Sequence, residues 1–298
     1  TNYHAALASA SYRILNPTKI FNTLKIEQEL NLELQNTTGK TQEAWYKTVV
    51  KATSLNNDYF ELGFVVSPLE TFDFYEPREY GRYVYIPKRI ASYFGFELNR
   101  NNALTFDMTP SFTKYDEKGR FNYGIYASPK YRFNDKLSLA YALEYTKMKN
   151  DRGWVDFDNA GVVFTERNRE ILQNDLTGKY SLNNKMTINL TARYYWSYSK
   201  THDFFTLQNN GYLRPNSNYT LNKDRNFNSW NFDLSYSWWF APGSEVSILY
   251  RNYGLQRASV VEKDLSKNLK NIFNSDLTNV LSVSIRYFID YNSIKNKF

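Results

Sequence analysis

The chain has 298 residues, rich in Tyr (26), Phe (21) and Trp (6) and poor in Gly (12), a bias that favours strands over a helical fold. With 22% charged residues, a mean hydropathy of -0.62 and no apolar run near the roughly 18 residues of a spanning helix, it fits neither a disordered segment nor a helical membrane protein. Cys 0 excludes a disulfide scaffold, a thiolate nucleophile and an iron-sulfur cluster, His 2 leaves zinc chemistry short of its usual ligands, and the net charge of +7 is scattered instead of gathered as a nucleic-acid patch requires.

Period-two alternation runs along almost the whole chain and predicts thirteen strands, at 4 to 15, 20 to 35, 42 to 54, 58 to 67, 89 to 99, 103 to 114, 121 to 133, 137 to 149, 170 to 181, 185 to 199, 228 to 240, 245 to 256 and 278 to 291. In the clearest of them Leu104, Phe106, Met108, Pro110 and Phe112 oppose Thr105, Asp107, Thr109 and Ser111. Likewise Trp230, Phe232, Leu234, Tyr236, Trp238 and Phe240 oppose Asn231, Asp233, Ser235, Ser237 and Trp239. Such strands are longer than the globular mode and match the length that crosses a bilayer at a tilt, with aromatics near both ends of the apolar face.

The connections alternate in length. Asn16-Pro17-Thr18-Lys19, Leu55-Asn56-Asn57, Arg100-Asn101-Asn102, Asn134-Asp135-Lys136, Leu182-Asn183-Asn184 and Ala241-Pro242-Gly243-Ser244 carry tight-turn residues. Between them lie long loops near 68-88, 150-169, 200-227 and 257-277, with shorter ones at 36 to 41 and 115 to 120. Short turns on one rim and long loops on the other predict an all-β, transmembrane, antiparallel up-and-down β-barrel. It would sit in the outer membrane of a Gram-negative bacterium, short turns periplasmic and long loops extracellular. Thirteen strands cannot close an even-numbered barrel. The expectation is therefore that 1-298 is the C-terminal part of a barrel of 14 or more strands whose upstream strands are absent. The beginning shows no charged n-region, apolar h-region or small-residue cleavage site, so an exported protein is expected to have lost its start.

Several phrases occur in a characteristic order: Phe74-Tyr75-Glu76-Pro77-Arg78 with Gly81-Arg82-Tyr83, Lys118-Gly119-Arg120-Phe121-Asn122-Tyr123, Tyr131-Arg132-Phe133-Asn134-Asp135-Lys136-Leu137, Asn150-Asp151-Arg152-Gly153, Leu176-Thr177-Gly178-Lys179-Tyr180, Phe240-Ala241-Pro242-Gly243-Ser244-Glu245 and Tyr287-Phe288-Ile289-Asp290-Tyr291. From about residue 60 to 291 the chain resembles the barrel of a Bacteroidota outer-membrane family of unknown function. Members of that family carry an N-terminal module similar to family 9 carbohydrate-binding domains. The resemblance implies an exported barrel whose N-terminal module lies outside this chain, and it brings no activity or catalytic residues. The tail from Asn292 to Phe298 departs from the pattern by putting the terminal aromatic out of phase with Ile289 and Tyr291.

If the apolar faces meet lipid, the polar faces line a lumen. The lumen-facing candidates are Glu29, Glu97, Asp107, Arg132, Glu144, Arg193, Asp233, Arg251, Arg286 and Asp290. Their mixed signs suit a salt-bridged wall, either solvated and open or cross-linked and closed. His202-Asp203 in a long loop has no serine or second carboxylate at a useful spacing, and His4 is weaker, so no catalytic, cofactor or metal site is expected. Trp154, Phe157, Phe164, Phe204, Phe205 and Tyr212 are expected to pack the long loops together, with stacking on sugars as the alternative. Leu265, Leu269, Ile272 and Phe273, at helical spacing within 261 to 273, predict a short helix over the barrel mouth. The expected function is non-enzymatic passage or capture of a solute. A structural or accessory subunit of an outer-membrane assembly is the alternative, and an outer-membrane hydrolase a more remote one. Lipid is the expected partner, with carbohydrate or another envelope protein as further candidates, and nucleic acid is not expected.

Overall fold

The computed structural model describes residues 3–289. Sixteen strands and one helix follow in chain order: β1 (Tyr3–Ile14), β2 (Phe21–Gln35), β3 (Thr41–Ser54), β4 (Tyr59–Ser67), β5 (Thr71–Asp73), β6 (Val84–Ile86), β7 (Arg89–Glu97), β8 (Leu104–Tyr115), β9 (Phe121–Arg132), β10 (Leu137–Asp158), β11 (Gly161–Asn183), β12 (Met186–Leu207), β13 (Leu213–Pro215), β14 (Arg225–Ala241), β15 (Ser244–Ala258), α1 (Leu265–Phe273) and β16 (Thr278–Arg286). Thirteen of the strands form one antiparallel meander in the order β1-β2-β3-β4-β7-β8-β9-β10-β11-β12-β14-β15-β16, β13 adds to β12, and β5 and β6 make a separate hairpin. The protein is thus an all-β chain built on one large antiparallel sheet.

The register gives each face a single character. One row of directly opposed residues reads Leu104, Tyr131, Leu139, Gly178, Leu190, Leu234, Tyr250 and Leu281 across eight strands. On the other half Tyr12, Ile26, Val50, Leu62 and Phe94 continue it. Most of these side chains are exposed. A Cβ at Gly178 would lie 2.9 Å from Leu139 Cδ2 and 3.5 Å from Leu190 Cβ, so a larger residue there would have to turn the Leu139 side chain aside.

One position along, the face becomes polar and ion-paired. Glu27 holds both Lys25 and, at 2.7 Å, Lys51. Glu61 accepts from the hydroxyls of Tyr59 and Tyr93, each at 2.6 Å. Arg251 grips Asp233 with two bonds of 2.7 and 2.8 Å. Since the side-chain period in a strand is two, the two faces exchange only if the register slips.

The sheet curls around its polar face. Along a flat sheet β3 and β12 stand seven strands apart, or about 33 Å at the usual spacing. Yet Phe72 in the β5–β6 hairpin meets Lys40, just before β3, at 4.3 Å and the ring of Tyr212, just after β12, at 6.4 Å. One short hairpin bridges both because the strand ends converge on a common mouth.

The thirteen expected strands are all present, with differences at their ends. The stretch 150-169 is not a loop: β10 and β11 run on as a hairpin of 22 and 23 residues, turning at Asn159-Ala160. Cross-strand pairs sustain the extension, Trp154 opposite Phe164, Arg152 opposite Glu166 and Asp151 opposite Arg167. In 200-227, β12 continues to Leu207 before β13, and in 68-88 lies the β5–β6 hairpin. The last strand stops at Arg286, and Asp290 and Tyr291 lie outside the described residues. Closure into a barrel is not seen: β1 and β16 stand at opposite ends of the strand order, and they run in the same direction because twelve antiparallel steps separate them. Both are exposed along nearly their whole length.

Helix α1 does not cover the mouth. Asp264 caps it by accepting from the amides of Ser266 and Lys267, and its Ile272 and Asn268 are fully buried against the side of the sheet. Asn226, Asn228 and Trp230 continue the alternation of Leu234, so the helix lies on the outward face. There Asn226 and Asn228 each donate to Asn268 Oδ1, at 2.8 and 2.9 Å, and Trp230 meets Phe273 edge-on. Buried amides need partners, and this need places the helix on the wall.

Candidate functional site

Functional chemistry concentrates on the polar face and on the cap over its long-loop end. Of the sequence-predicted lumen residues, Asp233 and Arg251 form the bidentate pair described above, and Arg193 pairs with Asp175. Glu97 pairs with Arg100 and stands directly opposite Asp107. Glu29 lies 4.0 Å from Lys47, Arg286 3.9 Å from Glu245, and Arg132 donates to the Asn101 carbonyl at 3.3 Å. Glu144 forms no ion pair among the described residues, where it faces Tyr126 and Gln173. Asp290 is outside them. These residues line the face at different heights and converge on no single point.

The cap is better organised. The segment from β5 to β6 reaches across the mouth, where Glu76 accepts from the Trp154 amide at 2.9 Å and Arg82 donates to the Leu207 carbonyl at 2.9 Å. Tyr85 donates to Glu117, and Arg152 donates to the Tyr85 hydroxyl at 2.7 Å and to Glu117 at 2.6 Å. Arg120 takes the other oxygen of Glu117 at 2.8 Å, and Glu166 lies 3.3 Å from Arg152. Burial, reinforced by the Glu117 carboxylate, pushes the Tyr85 hydroxyl up to about 12, which keeps it a proton donor. Burial would discharge Arg152, but Glu117, Tyr85 and Glu166 outweigh it and raise its pKa.

Beneath this network Val84, Val162, Phe164 and Leu207 form a dry cluster flanked by Trp154, Phe205 and Leu213. Phe204 packs on Tyr219 at 4.7 Å and Tyr212 on Tyr85 at 4.9 Å. Of the six loop aromatics picked out from sequence, Phe157 and Tyr212 stay exposed while Trp154, Phe164, Phe204 and Phe205 pack within the cap. Asp156 receives Lys223 at 2.6 Å and the Tyr219 hydroxyl at 2.5 Å, bonds that hold its pKa below the usual carboxylate range. His202 and Asp203 sit on β12, not in a loop; both are exposed, and His202 occupies the register shift opposite Glu166/Arg167. His4 is exposed on β1. Among the described residues no group of three His, Asp or Glu is placed to hold a metal ion.

Sequence reasoning missed Arg78, Arg89, Arg120, Arg152, Arg167 and Arg169, which together line a cavity of about 430 Å³ under the cap. All but Arg89 fall in stretches that read as loops, and the signal that could have found them is the density of arginine there.

A curved antiparallel sheet with an exposed apolar face, an ion-paired polar face and an arginine-rich cap defines the class of protein. The family model described as Domain of unknown function (DUF5916) matches residues 1–298, and the chain belongs to that family. Among curated proteins nothing matches it.

Proposed function

We propose that this chain forms the wall of an outer-membrane β-barrel of 14 or more strands and acts without catalysis, passing or capturing a solute at the cell surface. The observation that carries the reading is the apolar row from Leu104 to Leu281, exposed along most of its length on the face opposite the ion pairs. A soluble protein seldom leaves so continuous an apolar band in water, whereas a strand wall in lipid requires one. Strands are the only elements available for the crossing, since no helix among the described residues is long and apolar enough. The ordered phrases that resemble a Bacteroidota outer-membrane family support this location, with the long-loop end outside.

In this reading the polar face is a water-filled lumen and the β5–β6 cap narrows its outer mouth. Single-channel recording of the full-length protein in a planar bilayer tests passage: discrete conductance steps are expected, and insertion without conductance would refute it. The free edges of β1 and β16 favour a second reading, as a structural subunit of an envelope assembly. Unpaired backbone in hydrocarbon costs several kcal/mol per group, so both edges need partners there. Their shared direction demands an odd number of intervening strands, from this polypeptide or another. Cross-linking from Ala8 and Val283 to a different protein would support the assembly role, and exclusive cross-linking within one polypeptide would remove it.

A further inference from the structure

We propose that a second cavity, adjoining the cap, binds the phosphate group of a small phosphorylated ligand. The cavity holds about 380 Å³, within the range of small-molecule sites, and five cations line it: Arg78, Arg167, Arg169, Lys223 and Arg225. No carboxylate appears in that lining. Arg167 and Arg169 share one carboxylate, Asp151, at 3.1 and 3.3 Å, and Lys223 is held by Asp156. Arg78 and Arg225 have no acidic partner among the described residues; Arg225 donates only to the backbone carbonyl of Asp224. Five cations against two carboxylates leave three positive charges uncompensated around one cavity. A dianionic phosphate satisfies that surplus better than a single carboxylate, and guanidinium forks match its oxygens.

Arg78 is held in place at the edge of the cavity. Arg78 holds a φ of 56°, an uncommon backbone for a bulky side chain, and its guanidinium lies 4.3 Å from the Trp154 ring. The stacked Arg78 and Trp154 form an edge against which the body carrying the phosphate can rest.

The site rests on the proposed function only in taking the polar face as open to water, and its test needs no membrane crossing. Calorimetric titration of the full-length protein in detergent at low salt, with glucose 6-phosphate and with glucose, should show saturable binding of the phosphorylated sugar alone, tighter than about 1 mM. Inorganic phosphate should compete. Arg78→Gln and Arg225→Gln should each weaken binding about tenfold, whereas Arg132→Gln at the opposite rim should not change it. Equal binding of both sugars, or none, would overturn the proposal with the wild-type protein alone. Unaltered affinity in folded Arg78→Gln and Arg225→Gln would overturn it as well. A protein that binds glucose 6-phosphate yet never conducts would retain the site and refute passage.

Discussion

Leu234→Arg separates a sheet wall in lipid from one in water. Leu234 stands in the apolar row between Leu190 and Tyr250, with 41% of its surface exposed. If that exposed part meets hydrocarbon near the bilayer centre, arginine there costs about 2 to 4 kcal/mol. If it meets water, the long arginine stem keeps much of the packing and the cost stays within about 1 kcal/mol. Ser235→Arg is the internal control. It points to the polar face, two residues from Asp233, and should cost less than about 1 kcal/mol in either solvent. Urea unfolding of the full-length protein folded into lipid vesicles reads the difference, which should lower the midpoint by about 1 to 2 M for Leu234→Arg. Equal midpoints for the two variants would refute the assignment of the faces.

Other consequences are open to direct measurement. Asn268→Ala leaves the amides of Asn226 and Asn228 without their shared acceptor, at about 1 to 3 kcal/mol for each buried group, and should release α1 as read by hydrogen exchange over 265 to 273. Gly63→Ala places a methyl 2.1 Å from the Tyr93 ring, which must move and break its 2.6 Å bond to Glu61; a loss of about 1 to 3 kcal/mol in the same unfolding assay is expected. Asp156 has a depressed pKa, so its bonds to Lys223 and Tyr219 contribute fully above the ordinary carboxylate pKa and fade only as pH falls through the lower folded value. Exchange protection around 216 to 224 should therefore survive at pH 4, and Asp156→Asn should remove its acid dependence. Cysteine labels at Asn209 and Asn159 should react with an impermeant reagent on intact cells, and labels at Asn183 and Gly243 should be shielded.

The meander was legible because alternation decides which side of the sheet each residue occupies, and the polar turns interrupt it cleanly. The β10–β11 extension was harder to read for a local reason. A register shift between Met148 and Asp151 breaks the alternation, with Asn150 at a φ of 53° and Gly153 close behind, so a continuing hairpin resembles a loop. Hairpin β5–β6 has strands of three residues, too short for any period to appear. The position of α1 depends on Asn226 and Asn228, which look like ordinary polar residues until Asn268 is placed beside them. The basic cavity joins residues near 78, 154, 167 to 169 and 223 to 227, brought together only by the curl of the sheet and the cap that crosses it. The strand charges of the polar face were visible from sequence; the clustered cations of the cavity, in stretches that read as loops, were not.

The central claim, an apolar face in lipid and a polar face in water, is tested most directly by spin labels, which a chain with Cys 0 accepts at single introduced cysteines. Labels at Leu139, Leu190 and Leu234, and at their neighbours Ala140, Thr191 and Ser235, would be compared in lipid vesicles for collision with oxygen and with a polar nickel complex. The account predicts that the first three meet oxygen and exclude the nickel complex, while their neighbours do the reverse. Free access of the nickel complex to Leu139, Leu190 and Leu234 would contradict it.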